Sequence, residues 1–466
     1  MLRGTVARMT SALTPDQLER FAKRVDADPS ARMMQNALAG TDVDKVVLDR
    51  ARVLSVPRSM SHHLDDWEAT DQKQSGRCWM FAGLNLLRVG VAARLGVKEF
   101  EFSQSYLQFW DKLEKANHWL ESILATADRD LDDRTVAHLL ATPAEDGGQW
   151  NMFLALVAKH GLVPKEVMPE TESSSKTAKL NRDISSVLRR AASDLRLRSA
   201  SGASSEELEG VKEDVLAAIH RMLCLHLGTP PSSFTWQWRD SEKGFHRDGE
   251  LTPQQFVERY VSLPIDDYVC VVHDPRPSSP FGRTFTVEHL GNVVGAPQVV
   301  YLNVEMPLIK QLAADALVGS AGRPPEPVWF GCDVGQMLNG ELGLWHASLF
   351  DYDELYGTEH LGPVLSKADR LYHHGTSMTH AMLLTGVNLV DGPGDVPIAT
   401  RWRVENSWGT EKADKGFWTM DDSWFDEYVF EIAVPRSALP EELRNALDQD
   451  PIVLPAWDPM GALATP

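Results

Sequence analysis

A single cysteine stands at the start of a long apolar run, directly after a short turn that contains glycine. Residues 71–81 read DQKQSGRCWMF, so Cys78 begins the helix-forming run CWMFAGLNLLRVGVAARL, which ends at Gly96. The unpaired N–H groups at a helix N-terminus favour a thiolate over a thiol. Gln72, six residues upstream, carries an amide that can donate to an oxyanion, together with the backbone N–H of Cys78. The pattern predicts a nucleophile, although a free cysteine on a helix more often belongs to a core.

His380 is the best candidate for the proton acceptor that a thiol nucleophile needs. Of the 15 histidines, it is the one that stands where a polar loop, GTSMT, meets an apolar strand. A second predicted strand leads to Asn406, and the two strands are expected to pair antiparallel. Asn406 would then accept a hydrogen bond from the imidazole, and Trp408 would shield that bond from water. These residues predict a Cys-His-Asn triad, while a satisfied polar pair in the core stays open as the alternative.

A pair of glycines, Gly147 and Gly148, precedes the predicted helix NMFLALVAKH. Paired glycines let another backbone approach closely, as an extended substrate would. Two glycines in a turn usually make only a turn, so this observation is weak by itself.

Composition and charge exclude several classes of function. The chain has 46 basic and 66 acidic residues among 466, a formal charge of -20, which argues against binding to nucleic acid or anionic lipid. Its four cysteines are widely spaced without a CxxC pair, so neither a zinc site nor a disulfide framework is indicated. We find no apolar core of a signal peptide and no uninterrupted apolar window of membrane-spanning length. A cytoplasmic protein without a metal or cofactor is therefore expected.

Four ordered sequence blocks carry a family resemblance over essentially the whole chain: QKQSGRCWMFAGLN, FSQSYLQFWDK, WFGCDVG and LPAWDPMGALA. They resemble the bleomycin hydrolase and aminopeptidase C family of papain-like cysteine peptidases. The resemblance implies an α+β papain-like fold and a cysteine aminopeptidase that forms a homohexamer and acts on peptides, with bleomycin-type amide hydrolysis as a side activity. It makes Cys78 the nucleophile, His380 the base, Asn406 the orienting residue and Gln72 the oxyanion donor. Gly147 and Gly148 would line the substrate cleft.

The spacing of the candidate residues predicts the domain organisation. Cys78 and His380 lie 302 residues apart, against about 130–150 in papain-like enzymes. We therefore expect a helical arm at 1–70, a helical half at 71–175, an inserted mixed α/β subdomain at 176–325 that serves oligomerisation, a β half at 326–455, and a gating tail at 456–466.

The tail is where this chain departs from the resemblance. In the family, the tail lies in the active-site cleft and its carboxylate meets the free amino group of the substrate, which makes the enzyme an aminopeptidase. The family motif ends near Ala464, whereas here Thr465 and Pro466 follow. Either the enzyme trims itself after Ala464 or the longer tail partly blocks the cleft, and we expect trimming. Two other functions stay open as alternatives, a nucleic-acid-binding oligomer and a Cys-dependent acyltransferase.

Overall fold

The computed structural model describes residues 12–64, 67–319, 322–358, 360–361 and 364–462. It divides into two compact units. The first comprises Met1–Ser55 with Ser348–Val364, and the second comprises Val56–Ala347 with Leu365–Pro466. The candidate residues Gln72, Cys78, His380 and Asn406 all belong to the second unit.

The described residues form α-helices and β-strands in mixed order. The helices are α1 (Pro15–Ala27), α2 (Ala31–Leu38), α3 (Val43–Val47), α4 (Arg50–Ser55), α5 (Cys78–Leu95), α6 (Gln104–Ala125), α7 (Arg134–Ala141), α8 (Trp150–His160), α9 (Glu172–Ser175), α10 (Ala178–Ala200), α11 (Ser205–Leu227), α12 (Pro253–Tyr260), α13 (Met306–Val318), α14 (Tyr352–Tyr356), α15 (Lys367–Tyr372), α16 (Asp422–Tyr428) and α17 (Glu441–Ala446). The strands are β1 (His62–His63), β2 (Phe234–Arg239), β3 (Phe245–Leu251), β4 (Tyr268–Val272), β5 (Arg283–Val287), β6 (Tyr301–Asn303), β7 (Val328–Cys332), β8 (Leu338–Asn339), β9 (Leu344–Trp345), β10 (His380–Asp391), β11 (Pro397–Glu405), β12 (Phe417–Asp421), β13 (Val429–Pro435) and β14 (Ile452–Leu454).

The first unit contains α1–α4 and α14. Thr14 caps α1 through a capping box and Pro15 is its first residue. The apolar side chains Leu18, Phe21 and Val25 of α1 are exposed in this structure. A bridge between Leu48 and Phe350 joins the two chain segments of the unit.

One large sheet organises the second unit. Its strand order is β14-β5-β6-β4-β13-β7-β10-β11-β12-β9-β8, with β1 paired to β10. From β4 to β12 along this path, each strand pairs antiparallel with the next, whereas β4 pairs parallel with β6 and β12 pairs parallel with β9. The expected antiparallel pairing of β10 with β11 is therefore confirmed, and β10 begins at His380 as predicted.

Both faces of the sheet are covered at its centre, so β7 and β13 are buried throughout and β10 is buried over its first eight residues. Along β10, Ala381 and Leu383 face a core shared with α5, α6 and α8, while Met382 and Leu384 face a second core shared with α13 and α16. Side chains alternate between the faces of a strand, which explains why these four consecutive residues are all apolar.

Helix α5 lies in the first of these cores. It runs from Cys78 to Leu95 and ends at Gly96 in the left-handed conformation, as the sequence predicts. The helix is long and apolar enough to cross a membrane by length and composition, but 72% of it is buried inside the protein, as in the core helix of a globular domain. Its run of apolar residues is interrupted by Asn85, Arg88 and Arg94.

The segment 176–325, predicted as an insertion, contributes to two parts of the fold. Helices α10 and α11 pack on each other and on α6, and β2 pairs with β3 in a separate two-stranded sheet. Strands β4, β5 and β6, however, belong to the large sheet. The domain boundaries stay a prediction.

We predict opposite effects for alanine at two helix-interior glycines. A Cβ at Gly83 in α5 would lie 2.9 Å from the ring of Phe153 in α8, whereas a Cβ at Gly210 in α11 has no heavy atom within 4 Å. Gly83→Ala should therefore lower the free energy of unfolding by about 1–3 kcal/mol through overpacking. The control Gly210→Ala should raise it by about 0.5–1 kcal/mol through helix propensity. Urea unfolding measures both, and a stabilised Gly83→Ala protein would contradict the packing described here.

Candidate active site

Cys78 is the first residue of α5 and its side chain is buried, with 1% exposure. A backbone hydrogen bond from Ala381 lowers the pKa of the thiol, and an N–H donor has this effect on a sulfur that accepts from it. Ala381 is the residue after His380, so the thiol lies against the start of β10. The structure thus brings the predicted nucleophile to the strand that begins with the predicted base.

Burial opposes ionisation of both groups. It raises the pKa of the Cys78 thiol to about 12, against the smaller effect of the backbone N–H groups of Ala381, Trp79 and Cys78 itself. It lowers the pKa of the His380 imidazole to about 4, against the hydrogen bond with Asn406. The backbone N–H groups at the helix N-terminus thus favour the thiolate, as expected from the sequence, but desolvation outweighs them.

His380 and Asn406 are in direct contact. The ring nitrogen Nε2 of His380 lies 2.9 Å from Oδ1 of Asn406, which follows the last residue of β11. An amide oxygen only accepts, so Nε2 carries the proton in the neutral ring and Nδ1 is left free to accept one. The half-buried ring of Trp408 lies 5.1 Å from the imidazole, centroid to centroid. The hydrogen bond between His380 and Asn406 and the ring of Trp408 beside it are both where the sequence predicts them.

Gln72 is held by the residue that follows Asn406. Oε1 of Gln72 accepts from the hydroxyl of Ser407 at 2.6 Å, and the backbone N–H of Gln72 donates to the carbonyl of Ser407 at 2.9 Å. Nε2 of Gln72 donates to the carbonyl of Ser75. An amide nitrogen has two protons, so one remains for an oxyanion.

Asp146 fixes the loop that precedes Cys78, a role that the sequence analysis missed. Its carboxylate accepts from the backbone N–H of Gly76 at 3.0 Å and from the side chains of Thr177 and Asn181, and it pairs with Lys112 at 2.7 Å. Burial raises the pKa of Asp146, but Lys112 and the hydrogen bonds together hold it well below its usual range. The sequence signal for this role was the acidic residue directly before the glycine pair in EDGGQW.

The glycine pair lies directly after Asp146 and is buried. A Cβ at Gly148 would lie 2.5 Å from the ring of Trp79, so this glycine is required by packing against the residue after Cys78. Lys115 donates to the carbonyl of Gly147. The close neighbour at Gly148 is thus an indole ring of the same chain, and the approach of a substrate backbone to the glycine pair stays a prediction.

The tail runs to the same turn. Gln149 follows Gly148, and its Nε2 donates to the carbonyl of Ala462 at 2.9 Å. Upstream, Asp458 pairs with Arg276 at 2.8 Å. Ala464 lies outside the described residues, so its assignment stays a prediction.

A second Cys–His contact occurs away from this site. Sγ of Cys224 lies 3.7 Å from Nδ1 of His220 on α11, where His220 is exposed and Cys224 is half-buried. In the part of the chain that the structure describes, no side-chain amide is hydrogen-bonded to His220 as Asn406 is to His380. Among those same residues, no group of three or more His, Cys, Asp or Glu side chains is arranged to hold a metal ion.

The chain is similar to known proteins over almost its full length. The model of the Peptidase C1-like family matches residues 12–461. Aminopeptidase C of Listeria monocytogenes is 39% identical, with 98% of this chain and 100% of that protein covered. Bleomycin hydrolase of Gallus gallus is 38% identical, with 97% and 99% covered. The crystal structure of PepW from Lactobacillus rhamnosis HN001 superposes with a TM-score of 0.92 at 42% identity, covering 98% of this chain and 100% of that one. A thiol at a helix start, an imidazole–amide pair and this full-length similarity establish that the chain belongs to the Peptidase C1-like family.

Proposed function

We propose that this protein is a cysteine aminopeptidase that removes N-terminal residues from peptides through a thioester acyl-enzyme. The observation that carries the proposal is the meeting of Cys78 with the start of β10, where His380 is hydrogen-bonded to Asn406. Relatives named aminopeptidase C and bleomycin hydrolase, similar over their full length, support the same activity, with bleomycin-type amide hydrolysis as a side reaction.

The proposed reaction uses each group once in each half of the cycle. Nδ1 of His380 takes the proton of the Cys78 thiol as Sγ attacks the scissile carbonyl. The oxyanion accepts from the remaining N–H of Gln72 and from the backbone N–H of Cys78, which has no intrahelical partner at the first helical position. The imidazolium returns the proton to the leaving amine, and water then cleaves the thioester with His380 again as the base.

The tail is proposed to provide exopeptidase specificity. The bond from Gln149 to Ala462 brings the tail next to the glycine turn proposed to line the cleft, which supports this assignment. A carboxylate presented there would attract the free amino group of a peptide, and the attraction is strong where water is excluded. We further propose that the enzyme is a cytoplasmic homohexamer, as its family resemblance implies.

Replacing the nucleophile should abolish turnover. We expect Cys78→Ala to lower kcat on aminoacyl-coumarin substrates by at least about 10⁴-fold, since no other group in the site forms the thioester. Cys224→Ala, which removes the thiol beside His220, is the matched control and should keep full activity. Turnover by the Cys78→Ala protein at the wild-type rate would refute the assignment.

Acid should destabilise the protein through His380. Its pKa falls from 6.5 to about 4 on folding because of burial, so the unfolded chain binds the proton more tightly. The stabilisation from keeping the ring neutral is present above pH 6.5 and is lost as the pH falls towards 4. Between pH 7.5 and pH 5, the wild type should lose about 2 kcal/mol more stability than His380→Gln, which cannot titrate. Urea unfolding at both pH values tests this, and equal losses would contradict it.

Removal of the tail should change specificity rather than chemistry. Deleting residues 461–466 should raise cleavage of N-blocked peptides by about tenfold and lower the preference for a free N-terminus, because the proposed countercharge is lost. Deleting only Thr465 and Pro466 is the control and should retain the preference. Liquid chromatography of blocked and unblocked versions of one peptide measures both, and no gain on the blocked peptide would argue against gating.

A further inference from the structure

A buried carboxylate lies immediately beside the orienting amide. Glu405 is the last residue of β11, one position before Asn406, and is 2% exposed. Its carboxylate pairs with Arg88 at 2.7 Å and accepts from Nδ2 of Asn85 at 2.9 Å and from the indole N–H of Trp67 at 2.5 Å. Burial raises the pKa of Glu405, while Arg88 and Trp67 oppose that shift.

Two of these partners belong to the helix that begins with the nucleophile. Asn85 and Arg88 are on α5, seven and ten residues after Cys78. One carboxylate therefore ties the end of the strand that carries Asn406 to the helix that carries Cys78. We call this group of Glu405, Arg88 and Asn85 the inter-element clamp.

The side chain of Asn406 has little else to hold it. Its Nδ2 is buried without a hydrogen-bond partner, and its Oδ1 contacts His380. Its backbone N–H donates to Gly416 at 3.1 Å. The position of the amide is thus set by its backbone neighbours, which are Glu405 in the clamp on one side and Ser407, bonded to Gln72, on the other.

Stability alone does not account for the clamp. A buried ion pair costs desolvation energy, and apolar side chains of similar volume often stabilise a protein as well or better. Nε of Arg88 is also buried without a partner, so the pair is not fully satisfied. Directional bonds, however, fix one geometry between two elements, which apolar packing does less well.

We propose that Glu405 is a positioning residue, which, through Arg88 and Asn85, aligns Asn406 and hence His380 with Cys78. The inference rests on the proposed function, since it assigns Asn406 the task of orienting the imidazole. Glu405 itself contacts neither substrate nor thiol. Its effect should appear in kcat and in the reactivity of the thiol, and much less in KM.

The experiment compares stability with activity in three variants of the full chain. Glu405→Leu combined with Arg88→Met removes both charges and fills the same space with apolar side chains. Glu405→Gln removes the ion pair and keeps the shape of the side chain, and its single amide oxygen can still accept from Asn85, so it is the milder change. Asp422→Asn is the matched control, because Asp422 also pairs with a cation, Lys310 in α13, and accepts from an indole, that of Trp402 in β11, and both of these partners lie outside α5.

Three readouts are needed: the urea midpoint, kcat and KM on an aminoacyl-coumarin, and the rate of Cys78 alkylation by iodoacetamide at pH 7. The double variant should unfold near the wild-type midpoint, yet lose about 10²-fold in kcat with KM changed less than about threefold. Its alkylation should slow by about tenfold or more. Glu405→Gln should fall between wild type and the double variant, and Asp422→Asn should keep the wild-type kcat and alkylation rate.

Recovery of wild-type kcat and alkylation rate in the double variant would overturn the proposal, because the clamp would then be only structural. An Asp422→Asn protein as slow as Glu405→Gln would overturn it too. If the double variant does not fold, Glu405→Gln decides alone, and wild-type kcat and alkylation in that variant refute the proposal. Alkylation needs no substrate, so an inactive wild type would refute the proposed function while leaving the clamp decided by alkylation.

Discussion

Burial of the thiol and the imidazole is the constraint on which the rest of the site depends. Burial favours the neutral forms of both Cys78 and His380, whereas acyl transfer requires a proton to pass from one to the other. The attraction between a thiolate and an imidazolium offsets that cost only when the two groups face each other closely. A buried site therefore depends on orientation more strictly than an exposed one, and the neighbouring polar groups have to be fixed in place.

The structure meets this demand with buried acceptors that join separate elements. Asp146 holds the loop before Cys78 to α6 and to the start of α10, and Ser407 holds Gln72 to the segment after Asn406. Arg77 adds a bidentate contact to Glu170 from the residue before the nucleophile. Each of these groups has several partners. The loss of any one partner leaves a buried polar atom without its hydrogen bond, at a cost of about 1–3 kcal/mol.

The features that could be predicted from the sequence are those with local causes. The bounds of α5 follow from an apolar run between a turn and Gly96, and the position of His380 follows from the change from a polar loop to an apolar strand. The contacts that align the site have no such signature. Gly76 contacts Asp146, which is 70 residues away in the sequence, and Arg88 contacts Glu405, which is 317 residues away. Over such sequence separations, residue type and spacing do not indicate which residues pair. The desolvation of Cys78 could not be predicted for the same reason, since a helix N-terminus is visible in a sequence but the depth at which it is buried is not.

The tail illustrates how contacts with residues that are distant in the sequence fix the path of a segment. A frayed segment would lose conformational entropy of about 1–2 kcal/mol per residue on docking, so docking requires several compensating contacts. Here β14 pairs with β5, the ring of Trp457 stacks on Arg134, and Asp458 pairs with Arg276 before Ala462 reaches Gln149. Because these anchors come from four different parts of the second unit, they fix the path of the tail as far as Ala462. The specificity proposed for the tail therefore rests on a segment that is separate in sequence from Cys78, His380 and Asn406.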